Sequence, residues 1–318
     1  MMRIKKRITP LCAFLLFFSL LPFAAPVHAA GGNPKIAVVA TLFPQYDFAR
    51  QIAGGRADVS LLLAPGVESH SYEPAPADMI AIGRADLFLY TGDNMEHWAG
   101  RILAGLTGEK KPVVVDVSKG VTLSREGHTH AHDTHMGHEA HAHAYDPHIW
   151  TDPNNALTMA SNVLAGLIAV DPDHAAYYRE NAKHYFEELK TLDRDVKEAA
   201  ASGVRREVVL GGRNAFHYFF KRYGIHAIAA YDSCAADSEP SVKMLASLVR
   251  DMKQKGIPVV YYEEMQVPRV ARMLSEETGA KMLLLHSCHN ISKAERDAGE
   301  TYLSLMRRNL DNLKEGLR

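Results

Sequence analysis

Short apolar runs rich in β-branched residues alternate along this chain with longer stretches at helical spacing. The runs fall at 36–40, 59–63, 87–90 and 113–115 in the first half. In the second half they fall at 208–210, 227–230, 259–262 and 282–285. Runs with no polar face suit parallel strands covered on both sides, and their alternation with helical segments predicts βαβ units. The expectation is an α/β chain of two lobes, each a four-stranded, mainly parallel sheet flanked by helices.

Between the halves the pattern changes. Residues 173–201 contain no Gly or Pro, and Tyr177, Tyr185, Leu189, Leu192, Val196 and Ala199 recur at steps near 3.6. Asp171-Pro172-Asp173 supplies a start signal and Ser202-Gly203 a stop. Such a helix would run about 43 Å at 1.5 Å per residue, enough to span both lobes. One helix resists bending more than paired extended strands would, so limited lobe motion is expected. The domain plan is a signal peptide at 1–30, an N-terminal lobe at 31–172, a linking helix at 173–202 and a C-terminal lobe at 203–318.

The leader follows from charge and hydropathy. Arg3, Lys5, Lys6 and Arg7 precede an apolar stretch at 11–23, and Val27-His28-Ala29 offers a small-residue cleavage site. The stretch is too short for a membrane span, and Pro22 and Pro26 interrupt it. No cysteine stands at the cleavage point for a lipid anchor, so export to the periplasm without one is expected; the chain is also expected to be a monomer. Lys+Arg 36 against Asp+Glu 37 gives no basic excess, which argues against a nucleic-acid partner.

Histidine alone departs from ordinary composition, with 17 residues unevenly placed. His128, His130, His132, His135, His138, His141 and His143 lie together in an insertion at 124–145 that has no apolar periodicity. Either this is a solvated loop without a role, or its imidazoles form several weak auxiliary metal sites. Collection is the better reading.

Outside the insertion, four histidines follow predicted strands: His70, His148, His217 and His286. Ligand sites in open α/β sheets gather beyond the carboxyl ends of strands. A lone histidine is more often packed or solvated, and His97, His174, His184 and His226 are read that way. Four at strand ends, two from each half, point to one cleft between the lobes.

The segments at 65–79 (PGVESHSYEPAPADM), 85–98, 146–153 (DPHIWTDP), 215–224, 238–241 and 259–280 carry a specific resemblance. In order and spacing, the chain resembles the zinc/manganese family of ABC-transporter substrate-binding proteins over essentially its whole mature length. That resemblance implies two α/β lobes on a long backbone helix, one metal ion in the cleft, and delivery to the membrane permease of an ABC importer. It also implies that the histidine-rich loop marks a zinc member. By resemblance, His70 matches the first ligand and His148 the second. The usual third histidine is Arg213 here, and the usual fourth ligand, an aspartate, is read as His286.

Arg213 is charged at neutral pH and has no lone pair, so it cannot ligate. It can turn away, pair with Glu68, Asp237 or Glu239, or hold an anion in the second shell of the metal. The expected set is His70, His148 and His286, with Glu68, His217 or water fourth. Zinc accepts such nitrogen-rich sites. Exchanging carboxylate for imidazole disfavours Mn2+, while Cu2+, Ni2+ and Co2+ stay open as cargo. Cys234 and Cys288 are left once Cys12 departs with the leader. A disulfide between them would contribute about 4 kcal/mol, the competing reading being a Cys288 thiolate ligand. A zinc chaperone or buffer uncoupled from import, or a binder of a metal–anion complex, are the alternative functions. No metallohydrolase or nucleophile-elbow motif argues for an enzyme.

Overall fold

The structure, a computed structural model, describes residues 35–106, 111–125, 145–231 and 240–318. The signal segment, the seven clustered histidines, Cys234, Asp237 and Glu239 lie outside the described residues.

The N-terminal sheet holds β1 (Ile36–Ala40), β2 (Ala57–Leu61), β3 (Leu87–Tyr90) and β4 (Val113–Asp116), in the order β2-β1-β3-β4. The C-terminal sheet holds β5 (Glu207–Leu210), β6 (His226–Ala229), β7 (Val259–Tyr262) and β8 (Lys281–Leu284), in the matching order β6-β5-β7-β8. Every pairing is parallel. The two-lobed α/β expectation holds, with β2, β5, β6 and β8 starting one or two residues earlier than the apolar runs suggest. Helices α1 (Phe43–Ala53), α2 (Pro76–Arg84), α3 (Ala99–Gly105) and α4 (Pro153–Val170) accompany the first sheet.

The long helix forms as α5, Ala175–Ser202. At 28 residues it is about 42 Å long. Its buried face is Tyr178, Ala182, Tyr185, Leu189, Leu192, Val196 and Ala200. The apolar stripe therefore runs through Tyr178 rather than Tyr177, whose side chain is 42% exposed. The remaining helices are α6 (His217–Tyr223), α7 (Val242–Lys255), α8 (Arg269–Thr278), α9 (Lys293–Asp297) and α10 (Tyr302–Leu317).

One apolar core crosses from lobe to lobe. Phe48 of α1 packs edge-on against Tyr302 of α10 at 5.1 Å and against Tyr185 of α5 at 5.9 Å. The buried Asp47 carboxylate accepts the Tyr302 backbone N–H at 2.9 Å. On the other side, Arg222 of α6 reaches Asp152, the N-cap of α4, at 3.2 Å and Asp193 of α5 at 2.7 Å. Helices from both lobes thus grip α5 directly, which fits the limited motion expected.

At the carboxyl ends of β1 and β3, the buried Glu96 carboxylate accepts the Thr41 hydroxyl at 2.5 Å and the Thr91 and Gly92 backbone N–H groups at 3.0 and 3.1 Å. Burial pushes its pKa up to about 7 despite those donors. The folded protein therefore holds this proton where the unfolded chain releases it, and stability from this group is lost as pH rises from about 4.5 to about 7. Glu96→Gln is expected to remove that slope, a difference on the order of 3 kcal/mol between pH 4 and 8. Urea midpoints of metal-free wild type and variant across that range measure it.

Candidate metal centre

The carboxyl ends of the strands in both sheets open onto one cleft. His70 stands in the loop after β2, and His148 follows Asp146-Pro147 at the entrance to a short 3-10 turn before α4. His289 stands in the loop after β8. These three converge from both lobes, and each offers a ligand nitrogen within 4.8 Å of the others. His70 Nε2 lies 3.2 Å from His289 Nε2 and 3.3 Å from His148 Nε2. Imidazole nitrogens bound 2.0–2.1 Å from one tetrahedral zinc stand about 3.3–3.4 Å apart. Two edges of the donor triangle therefore match the spacing that zinc requires, and the third is within 4.8 Å.

Around the imidazoles the structure is rigid. Asp146 Oδ1 accepts both the His148 backbone N–H at 2.8 Å and its Nδ1–H at 2.7 Å, leaving the Nε2 lone pair facing the cluster. Burial opposes ionisation of Asp146, but His148 beside it holds the carboxyl below the usual range. Trp150, fully buried, donates from Nε1 to Ser287 O at 2.8 Å and sets its ring edge-on to His148 and His289. Burial, together with the neighbouring imidazoles and Arg213, drives the His289 pKa well down, so this ring is a neutral donor.

The centre forms one wall of a cavity of about 90 Å³ that Glu68, Arg213, Glu263, Met265 and Gln266 also line. Arg213 lies between two carboxylates, 3.5 Å from Glu68 and 3.9 Å from Glu263. Burial, ahead of the opposing pull of Arg213, raises Glu263 to about 7. The turn after β5 that carries Arg213 needs glycine. A Cβ on Gly211 would fall 2.6 Å from the Ala271 Cα, and one on Gly212 would fall 2.7 Å from Glu263 Oε1.

Two expected site residues lie elsewhere. His286 is wholly buried behind the centre: its Nδ1 accepts the Cys288 N–H at 3.0 Å and its Nε2 faces Glu295 at 3.4 Å. With both nitrogens turned to protein groups, His286 does not join the cluster, and His289 stands there in its place. Cys288, between them, adopts φ 61°, a left-handed turn that sends the two imidazoles in different directions. His217 lies beyond Asp146, its Nε2 3.0 Å from Ser124 Oγ, and it does not line the cavity. Glu68 lines the cavity but accepts the His70 N–H at 3.2 Å and pairs with Arg213.

His289 escaped the sequence reading because His286 stands closer to the strand end. The usable signal was distance. A residue one or two past a buried strand is still in the core, whereas His70 and His289 stand nine and five residues past β2 and β8.

The feet of the histidine-rich insertion are also fixed. Asp146 N–H donates to Ser124 O at 2.9 Å, and the Tyr218 hydroxyl accepts Ser124 N–H at 2.9 Å and donates to Asp146 O at 2.8 Å. The insertion therefore re-enters the fold two residues before His148.

A cleft between two parallel α/β lobes, lined by convergent imidazoles, defines a two-lobed metal-binding receptor of the substrate-binding type. The chain belongs to the family described as zinc-uptake complex component A, periplasmic, whose model matches residues 38–316. It is 37% identical over 296 residues to the high-affinity zinc uptake system protein ZnuA of Bacillus subtilis, covering 89% of this chain and 88% of that protein. It is 34% identical over 320 residues to the zinc-binding protein AdcA of Streptococcus pyogenes, covering 98% of this chain but only 61% of AdcA. Among solved structures, the Zn(II)-bound ZnuA-like domain of Streptococcus pneumoniae AdcA matches with a TM-score of 0.74 at 31% identity, over 89% of this chain and 99% of that one.

Cys288 is a free, buried thiol whose pKa burial raises well above the ordinary value. It is turned to the His286 carbonyl, not to the three imidazoles, so the thiolate-ligand reading does not fit. Its expected disulfide partner, Cys234, lies outside the described residues. Alkylation of native protein should leave Cys288 unmodified, and unfolding without reductant should expose it to the reagent. Peptide mass spectrometry distinguishes the two states.

Proposed function

We propose that this chain captures a zinc ion in the periplasm and delivers it to the permease of an ABC importer. The observation that carries the reading is the meeting of three imidazoles from opposite lobes, with His70 Nε2 at zinc spacing from the Nε2 atoms of His148 and His289. His70, His148 and His289 are the protein ligands in this proposal. The fourth position opens toward the cavity, where water or a rotated Glu68 carboxylate completes a tetrahedron. A donor set without an obligatory carboxylate disfavours manganese, which prefers oxygen.

Membership in a zinc-uptake family and the zinc-named relatives support this choice of cargo. The leader at 1–30 provides export in this reading. Among the described residues no helix is long and apolar enough to cross a membrane. In this reading the histidine-rich insertion, whose flanking residues Ser124 and Asp146 are held by Tyr218, gathers zinc loosely and raises its concentration at the cleft.

Zinc competition titrations of metal-free protein test the assignment. One tight site per chain is expected, and deletion of 128–143 should leave it while removing weaker binding. His70→Ala, His148→Ala and His289→Ala should each weaken the tight site by at least about 100-fold. His286→Ala and His217→Ala should stay within about tenfold of wild type. Undiminished binding by His289→Ala would sink the proposed ligand set.

A further inference from the structure

We propose that Ser287 and Glu264 act as positioning residues that lock His289 with its lone pair on Nε2, aimed at the metal. The inference rests on the reading of His289 as a ligand and goes beyond it by naming what orients that ligand.

One chain of contacts fixes where each proton sits. Glu264, the second residue after β7, directs both carboxylate oxygens at Ser287. Its Oε2 accepts the Ser287 backbone N–H at 2.8 Å, and its Oε1 accepts the Ser287 hydroxyl. A carboxylate offers acceptors only, so the single hydroxyl hydrogen of Ser287 is committed to Glu264. His289 Nδ1 lies 2.5 Å from that same Oγ. With the hydroxyl hydrogen already used, this contact is a hydrogen bond only if Nδ1 carries the proton and Oγ accepts it. Neutral His289 then has its free pair on Nε2, the atom 3.2 Å from His70 Nε2.

The same logic operates at His148, where Asp146 holds Nδ1–H directly. Two imidazoles of the centre are therefore oriented by carboxylates, one directly and the other through a hydroxyl. The relay is well shielded: Ser287 is buried and the Glu264 side chain is 10% exposed. Trp150 Nε1 donates to the Ser287 carbonyl, which fixes the backbone that carries the hydroxyl.

Glu264→Gln tests the direction of the relay because it keeps the shape and exchanges one acceptor for a donor. The amide oxygen retains the Ser287 N–H, and the amide N–H₂ then points at Oγ. Ser287 must now donate to His289 Nδ1, which moves the imidazole proton to Nε2 and blocks coordination. Zinc affinity should fall about 10–100-fold. Imidazole ¹⁵N spectra of the metal-free variant should show the His289 proton moved from Nδ1 to Nε2, with His148 unchanged as internal reference. Ser287→Ala should weaken zinc by about tenfold and leave the two His289 tautomers mixed, while Ser287→Thr, which keeps the hydroxyl, should bind zinc within about twofold of wild type.

Should Glu264→Gln not fold, the Ser287→Ala spectrum decides. Zinc binding and ¹⁵N patterns like wild type in both Glu264→Gln and Ser287→Ala, with His289→Ala still losing the tight site, overturn the relay and leave the ligand reading standing. Full zinc affinity in His289→Ala overturns both.

Discussion

Everything in this molecule depends on holding imidazoles from two lobes within about 3.3 Å of each other, the edge of a zinc tetrahedron. Small displacements at that distance separate a chelating site from three isolated side chains. The fold meets the tolerance by giving the lobes a common interior. Phe48, Tyr185 and Tyr302 come from the first lobe, the linking helix and the last helix, and they pack as one aromatic cluster. Arg222 bridges the N-cap of α4 to the linking helix from the opposite side. A receptor that closed by wide hinge motion would have to open this core to solvent, at a cost proportional to the apolar area exposed.

The sheets set the direction in which the site faces. With all strands parallel, the carboxyl ends of both sheets point to the same cleft, so loops after β2, β5, β7 and β8 meet there. Each lobe contributes what it can hold rigidly. The first supplies His70 and His148, and the second supplies His289 with the carboxylates and hydroxyl packed behind it. Trp150 and Tyr302 join these halves, since the Tyr302 hydroxyl donates to Trp150 O at 2.5 Å while Trp150 donates to Ser287 O.

Much of this was legible from the chain itself. The eight apolar runs located all eight strands to within about two residues, because buried parallel strands leave an unbroken signal. The 3.6-residue period located α5, although adjacent tyrosines hid which one faced inward. His70 and His148 were visible because their segments, 65–79 and 146–153, match the first and second ligand positions of the family that the chain resembles. His289 was passed over because His286 stands nearer the strand end, and the left-handed turn at Cys288 that sends the two imidazoles apart is not announced by the residue types. The Glu264–Ser287–His289 contacts join residues 23 apart in sequence, and only the pairing of β7 with β8 brings them together.

Arg213 poses the sharpest physical question, because a guanidinium in the wall of a cation site opposes its cargo. The structure answers it with neighbours. Glu68 and Glu263 flank the guanidinium within 4 Å, so its charge is offset locally. The three imidazoles are then the donors of the proposed site, and the carboxylates of Asp146 and Glu264 stand behind two of them. In the proposed site each such carboxylate both fixes a lone pair and lowers the cost of bringing two positive charges into a partly buried space. Arg213 acts in the other direction, and among the described residues no fourth imidazole lines the cavity. The resulting site is nitrogen-rich, three-legged and open on one side, a form suited to a cargo that must be held firmly and later surrendered.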